Sequence, residues 1–183
     1  GDVLALFDGL KAEIAEALAG RKVFVARPVS LSFELHAQPE VLTAIDNLAE
    51  GKRPFGLSGL IGKGAQKQLL DAIEILGSKP QSEQDWQHVQ AFVRWQQHSR
   101  TLLLRWNALA AEMPLPMLAA DTEQLMAAAR AVEQFDALVL TEQSENRACL
   151  ELKHVLPEWA DVSRLRIDEA VLGQAQTILR HYL

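Results

Sequence analysis

The stretch SEQDWQHVQAFVRWQQHSRTLLLRWNALAAEM, Ser82–Met113, decides the architecture of this 183-residue chain. At 100° per residue, Phe92, Trp95, Ser99, Leu102, Leu103, Trp106, Ala110 and Met113 share one side. Gln87, Gln90, Arg94, Gln97, His98, Thr101 and Arg105 lie opposite. Ser82 and Asp85 resemble a capping box, with Asp in place of the usual Glu. Pro114 and Pro116 terminate the run. Glu83–Met113 therefore reads as one helix about 46 Å long, where about 11–12 residues is usual. A second run, Thr122–Leu156, follows a link punctuated by proline. Its apolar stripe is Leu125, Ala129, Val132, Phe135, Val139 and Leu150, and Pro157 breaks it. Together the runs predict an all-α fold built on a long antiparallel helical hairpin, a shape suited to projecting, bridging or pairing.

Shorter elements are expected to pack at the base of that hairpin. Asp2 can cap a first helix to about Ala19, with Leu4, Phe7, Leu10, Ile14 and Leu18 at helical spacing and Gly20 as its stop. Val23-Phe24-Val25, and the alternation of Leu31, Phe33 and Leu35 with Ser30, Ser32 and Glu34, predict extended chain. Pro28 argues against a central strand there, so at most one small β-hairpin is expected near residues 22–35. Pro39 opens a helix to about Ala49. Lys52–Gly64 is a glycine-rich loop, and Ala65–Leu76 a helix with Leu69, Leu70, Ile73 and Leu76 inward. A last helix is expected over Asp168–Tyr182. The organisation predicted is a single helical domain over 1–183, with short helices and loops in 1–80, the hairpin in 81–156 and a C-terminal helix in 157–183.

The net charge of −6 hides a segregation. Residues 52–111 carry 8 bases and 4 acids, whereas 1–51 carry 4 bases and 8 acids, and 112–183 carry 6 and 12. Between Trp86 and Ala111 there is no acid. An acid-poor helix inside an acidic protein points to phosphates or an acidic partner. The competing expectation is that the acidic Thr122–Leu156 run neutralises it internally. The contact residues favoured by sequence are Lys52, Arg53, Lys63, Lys67, Arg94 and Arg105. The single cysteine, Cys149, excludes an internal disulfide and reads as a buried thiol in a reducing, cytoplasmic setting. No apolar run reaches the ~20 residues of a membrane span, so no membrane partner is expected. The start at Gly1-Asp2 has no basic leader and suggests a segment of a larger protein.

No catalytic pattern emerges. The loop around Gly62-Lys63 departs from a phosphate loop twice: Leu57 stands where the first glycine belongs, and Gly64 where the Mg²⁺-binding hydroxyl belongs. His36, His88, His98, His154 and His181 include no pair at the i, i+4 spacing that places two ligands on one helix face. Cys149 and His154 diverge by roughly 140° around a helix. No Gly-x-Ser-x-Gly elbow occurs. Neither catalytic residue, cofactor nor metal is assigned. Trp95 and Trp106 read as core, and Asn107 as a side chain able to bond across to another backbone segment.

The runs Lys52-Arg53-Pro54-Phe55-Gly56, Gly62-Lys63-Gly64, Asp85-Trp86-Gln87-His88-Val89 and Arg105-Trp106-Asn107-Ala108-Leu109 carry a resemblance. Over roughly residues 40–115 the chain resembles the helical, coiled-coil-like insertion of bacterial ATPases related to superfamily 1 DNA/RNA helicases. In those proteins the insertion interrupts the first motor domain, between its phosphate loop and the later ATPase motifs. The resemblance implies an accessory arm of an ATP-driven nucleic-acid translocase. None of the family's ATPase motifs is found here, so no catalytic residue carries over. The expectation is a non-catalytic helical accessory domain contacting nucleic acid or a partner protein. The alternative is a helical self-association module forming a homodimer through its apolar face.

Overall fold

A computed structural model describes residues 2–56, 63–155 and 169–182. The chain is all-α with one minimal sheet. Its helices are α1 (Asp2–Ala26), α2 (Pro39–Ala49), α3 (Gly64–Asp71), α4 (Glu83–Ala110), α5 (Leu125–Val155) and α6 (Glu169–Tyr182). Single 3₁₀ turns occupy Phe33–Ala37 and Thr122–Gln124. Strand β1 (Val29–Ser30) pairs antiparallel with β2 (Glu74–Ile75), Val29 opposite Ile75 and Ser30 opposite Glu74. The chain divides into two compact units, residues 1–129 and 130–183.

In the first unit α4 is the spine, and α1 and α2 pack against it. Its start is fixed as the sequence foresaw. Ser82 Oγ accepts the Asp85 N–H, and the Asp85 carboxylate accepts the N–H groups of Ser82 and Gln81 at 2.9 Å each. These satisfy donors that a helix start otherwise leaves open. Arg27, just past the end of α1, pairs with the same carboxylate, and His88 donates from Nε2 to the Arg27 carbonyl at 2.8 Å. The end of α1 and the start of α4 are thereby locked together.

Two cores flank the spine. Phe7, Leu10, Ile14 and Ala17 of α1, spaced three and four apart, are buried, as are Leu102, Leu103 and Trp106 of α4. The Phe7 and Trp106 rings lie 6.4 Å apart. The other core gathers Val41, Ala44 and Ile45 of α2, Leu70, Ile73 and Ile75, and Val89 and Val93 of α4, with Trp86 at its edge. At the far end of α4, Trp106 Nε1 donates to the Pro116 carbonyl at 2.8 Å. Asn107 clasps Leu118 from both sides, donating to its carbonyl at 2.6 Å and accepting its N–H at 2.9 Å. These bonds pin the Pro114–Ala119 link, and Leu118 is the backbone partner that the sequence left open for Asn107.

Several local expectations are corrected. Gly20 does not stop α1, which runs on to Ala26 and ends before Pro28. A Cβ at Gly20 would lie 2.8 Å from Trp95 Cδ1, and Trp95 Nε1 donates to the Ala17 carbonyl at 2.8 Å. The glycine is there for the close approach of an indole. Val23-Phe24-Val25 is helical because Phe24 packs on Phe92 and Trp95, with centroids 5.1 Å away in each case; tertiary contact overrides β propensity. The strand partner of Val29–Ser30 comes from residues 74–75, not from within 22–35. Leu31–Leu35 leads into a 3₁₀ turn. Helix α3 stops at Asp71 rather than Leu76, since Glu74 and Ile75 are pulled into β pairing with Val29–Ser30 and Leu76-Gly77 turns with φ of 53° and 76°.

Helix α5 begins inside the first unit, where Leu125 and Ala128 are buried. From Arg130 onward it belongs to the second unit, together with α6. There Ala148 and Ala175 are buried, Arg147 and Glu151 pair at 4.0 Å, and Val132, Phe135 and Val139 are half-buried. The centre of the glycine loop (57–62), the break at Pro157, and the side chains of Cys149, Leu150 and His154 lie outside the described residues.

Candidate nucleic-acid interface

The acid-free face of α4 is neutralised within the first unit, and the acids come from α1 and α2. Asp46 of α2 accepts from Gln90 at 2.6 Å and from Arg94 at 3.4 Å. Glu13 of α1 accepts both Arg105 Nη1 contacts, at 2.9 and 2.7 Å, and lies 3.9 Å from His98 Nε2. Within the first unit the counter-charges thus come from α1 and α2, whereas the sequence expectation assigned them to the acidic Thr122–Leu156 run, most of which belongs to the second unit. The physical reason is the packing order: α1 and α2 lie against α4, so a carboxylate on the flank of either lands on its polar rows.

The six residues expected at the interface fall into three settings. Lys52 pairs with Glu50 two residues away. Lys63 pairs with Glu40 at 3.4 Å and sits 5.4 Å over the Phe55 ring. Arg53 and Lys67 are exposed, with no ion pair among the described residues. Arg94 and Arg105 stand eleven residues apart, about 16 Å along the axis and within about 20° in rotation, so they point along one line. They remain open to solvent, with side chains 66% and 49% exposed. Exposed pairs of this kind are worth only about 0–1 kcal/mol.

The structure brings Arg94 to Asp46, and Arg105 to Glu13. It sets Lys52 and Arg53 beside the start of α4, where Gly51 meets Glu83 and Gln87 donates to the Ala49 carbonyl at 3.2 Å. Sequence reasoning missed Asp46 and Glu13 because neither is near α4 in the chain. Their only signal is position: each lies one residue from a buried apolar position, Ile45 and Ile14 respectively, hence at the rim of a packed face. Among the described residues no group of three His, Cys, Asp or Glu side chains could hold a metal ion, and no helix is long and apolar enough to cross a membrane. His36 Nδ1 and Ser99 Oγ are buried without hydrogen-bond partners among the described residues.

The motifs that carry the helicase-like resemblance have identifiable mechanical roles. Asp85 caps α4, Trp86 and Val89 pack in the α2 core, and His88 ties α4 to α1. Trp106 and Asn107 hold the link that follows α4. Comparison with protein-family models, with curated proteins and with solved structures returned no match to this chain.

Proposed function

We propose that this chain is a non-catalytic helical accessory segment of a helicase-like ATPase, and that it contacts nucleic acid through the Arg94–Arg105 line of α4. The observation that carries the reading is the alignment of two solvent-open arginines on an acid-free helix face, each held by one replaceable carboxylate. Phosphate contacts of this type give affinity without sequence preference. The mechanical roles of the motif residues agree with a scaffold whose chemistry resides elsewhere in a parent protein. Electrophoretic shift and fluorescence anisotropy with single- and double-stranded DNA and RNA at low salt test it. Wild-type protein should bind, and R94E/R105E should lose most of the affinity. With both contacts gone, the duplex salt slope should flatten by about 1.8, at ~0.9 per phosphate. Binding indifferent to the double reversal would remove this surface from consideration.

A second reading is self-association. Leu4 and Leu6 of α1 are exposed, and so, in the second unit, are Leu138 and Leu140 of α5. Sedimentation equilibrium separates a monomeric segment from a dimer. The Trp95 ring packs inside the first unit against Phe24, Phe92 and Gly20, so this reading rests on the exposed leucines rather than on Trp95.

A further inference from the structure

A cleft of about 230 Å³ opens in the first unit between the Phe33–Ala37 turn, α4 and the Ala120–Thr122 segment. Phe33 is 67% exposed, an unusual setting for a phenylalanine next to a packed core. The Arg100 guanidinium lies 4.4 Å over its ring. Arg100 is half-buried and has no carboxylate within ion-pair distance among the described residues. His36 meets Phe33 edge-on at 5.9 Å, and its Nε2 bonds Gln96 Oε1 at 3.0 Å. Among the described residues the Gln96 amide N–H groups have no acceptor and can donate. Asp121, which also lines the cleft, uses Oδ1 to accept the Glu123 N–H at 3.3 Å, and among the described residues its Oδ2 has no donor.

We propose that this cleft binds one unstacked nucleotide of a single strand. The lining combines a flat aromatic and guanidinium pair with a donor and an acceptor. An aliphatic ligand would leave Arg100 and Asp121 unpaired, and a bare phosphate would confront the Asp121 carboxylate. A nucleobase satisfies all three elements: its π-face stacks on the Phe33–Arg100 pair, and its edge offers a donor to Asp121 and an acceptor to Gln96. Asp121 as acceptor selects bases with an exocyclic amino group, so cytosine is favoured over thymine. The proposal deepens the nucleic-acid reading given above and rests on it for the strand, though not for the nucleotide itself.

The test pairs two probes on the full chain. NMR titration with dCMP and dTMP reads the cleft alone, and anisotropy with labelled oligo-dC and oligo-dT reads the strand. F33A should weaken oligo-dC binding about tenfold, the order expected for one lost base–aromatic stack. R100K keeps the charge but loses the plane, and should weaken it several-fold. D121N should erase the preference for dC over dT. All three side chains are at least partly solvent-exposed, and circular dichroism verifies that each variant is folded. Oligonucleotide binding that is unchanged in F33A and R100K overturns the cleft and leaves the α4 surface standing. Binding of dCMP without binding of any polynucleotide leaves a mononucleotide pocket only, and overturns both the α4 surface and the single-strand role of the cleft. A wild-type chain that binds neither overturns both.

Discussion

Two glycines in α1 should respond to the same substitution with opposite sign. Gly9 is exposed, and a Cβ built there meets nothing within 4 Å. G9A should therefore gain the full helix-propensity difference, about 1 kcal/mol. Gly20 gains that same amount but faces the Trp95 indole, with Cδ1 at 2.8 Å and Nε1 at 3.0 Å from the new methyl. The indole is not a flexible tip: it packs on Phe24 at 5.1 Å and Phe92 at 5.9 Å and bonds the Ala17 carbonyl. Moving it costs about 2 kcal/mol of overpacking and about 1 kcal/mol of hydrogen bond. G20A should then be about 2 kcal/mol less stable than the parent, and about 3 below G9A. Urea denaturation followed by far-UV circular dichroism measures both. In a W95L background the clash is gone, and G20A should become stabilising like G9A. If G20A stabilises the parent chain as G9A does, the close-approach account of Gly20 is wrong.

Three further outcomes follow from the locks on α4. Backbone N–H groups of Gln81 and Ser82, with further help from the Ser82 hydroxyl and Arg27, hold the Asp85 carboxyl at about 2 against an ordinary 3.8. Because the folded value is depressed, the stabilisation is complete above about pH 4 and fades as pH falls toward about 2. The gap in melting temperature between wild type and D85N should therefore be widest near neutral pH and close within that acid window; a gap independent of pH would contradict the assignment. N107A removes both bonds to Leu118 and should cost about 1–3 kcal/mol, with faster amide hydrogen exchange at Leu118. A double-mutant cycle on Glu13 and Arg105 (E13Q, R105Q) should give a coupling of about 0.2–1 kcal/mol that shrinks with added salt.

Much of the fold was legible because local rules and packing agree there. Pro39–Ala49 matches α2 residue for residue, and Ser82 with Asp85 marks the start of α4. The misreadings share one cause: the deciding partner is distant in the chain. Gly20 looked like a stop because Trp95, seventy-five residues on, is invisible to local pattern. Ile73-Glu74-Ile75 fits the end of a helical stripe and a strand equally well, and Val29–Ser30 breaks the tie. The site was less legible than the fold. The basic residues of α4 could be seen, but the identity of their counter-ions depends on which helices flank the spine. Arg100 and Phe33 went unpaired for the same reason, since sixty-seven residues separate them.

The balance of charge on α4 bears directly on how such a surface would work. A bare row of arginines on an acidic protein would attract any polyanion at all times and would repel itself along the helix. Asp46 and Glu13 remove that cost while the face is empty. Each carboxylate is itself partly exposed, with side chains 48% and 28% open, so each can return to water when a phosphate takes its place. Exchange of this kind keeps binding weak, reversible and steeply dependent on salt. Those properties would suit the proposed accessory segment, which would release a strand as readily as it meets one. They would also separate the α4 line from the Phe33 cleft, where stacking rather than ion pairing would supply the contact and salt should matter less. Raising ionic strength should therefore strip the R94/R105-dependent share of oligo-dC affinity first and leave an F33-dependent remainder. A remainder that is equally lost with salt would mean that the ring contributes no stacking, and that Arg100 acts there only as another charge.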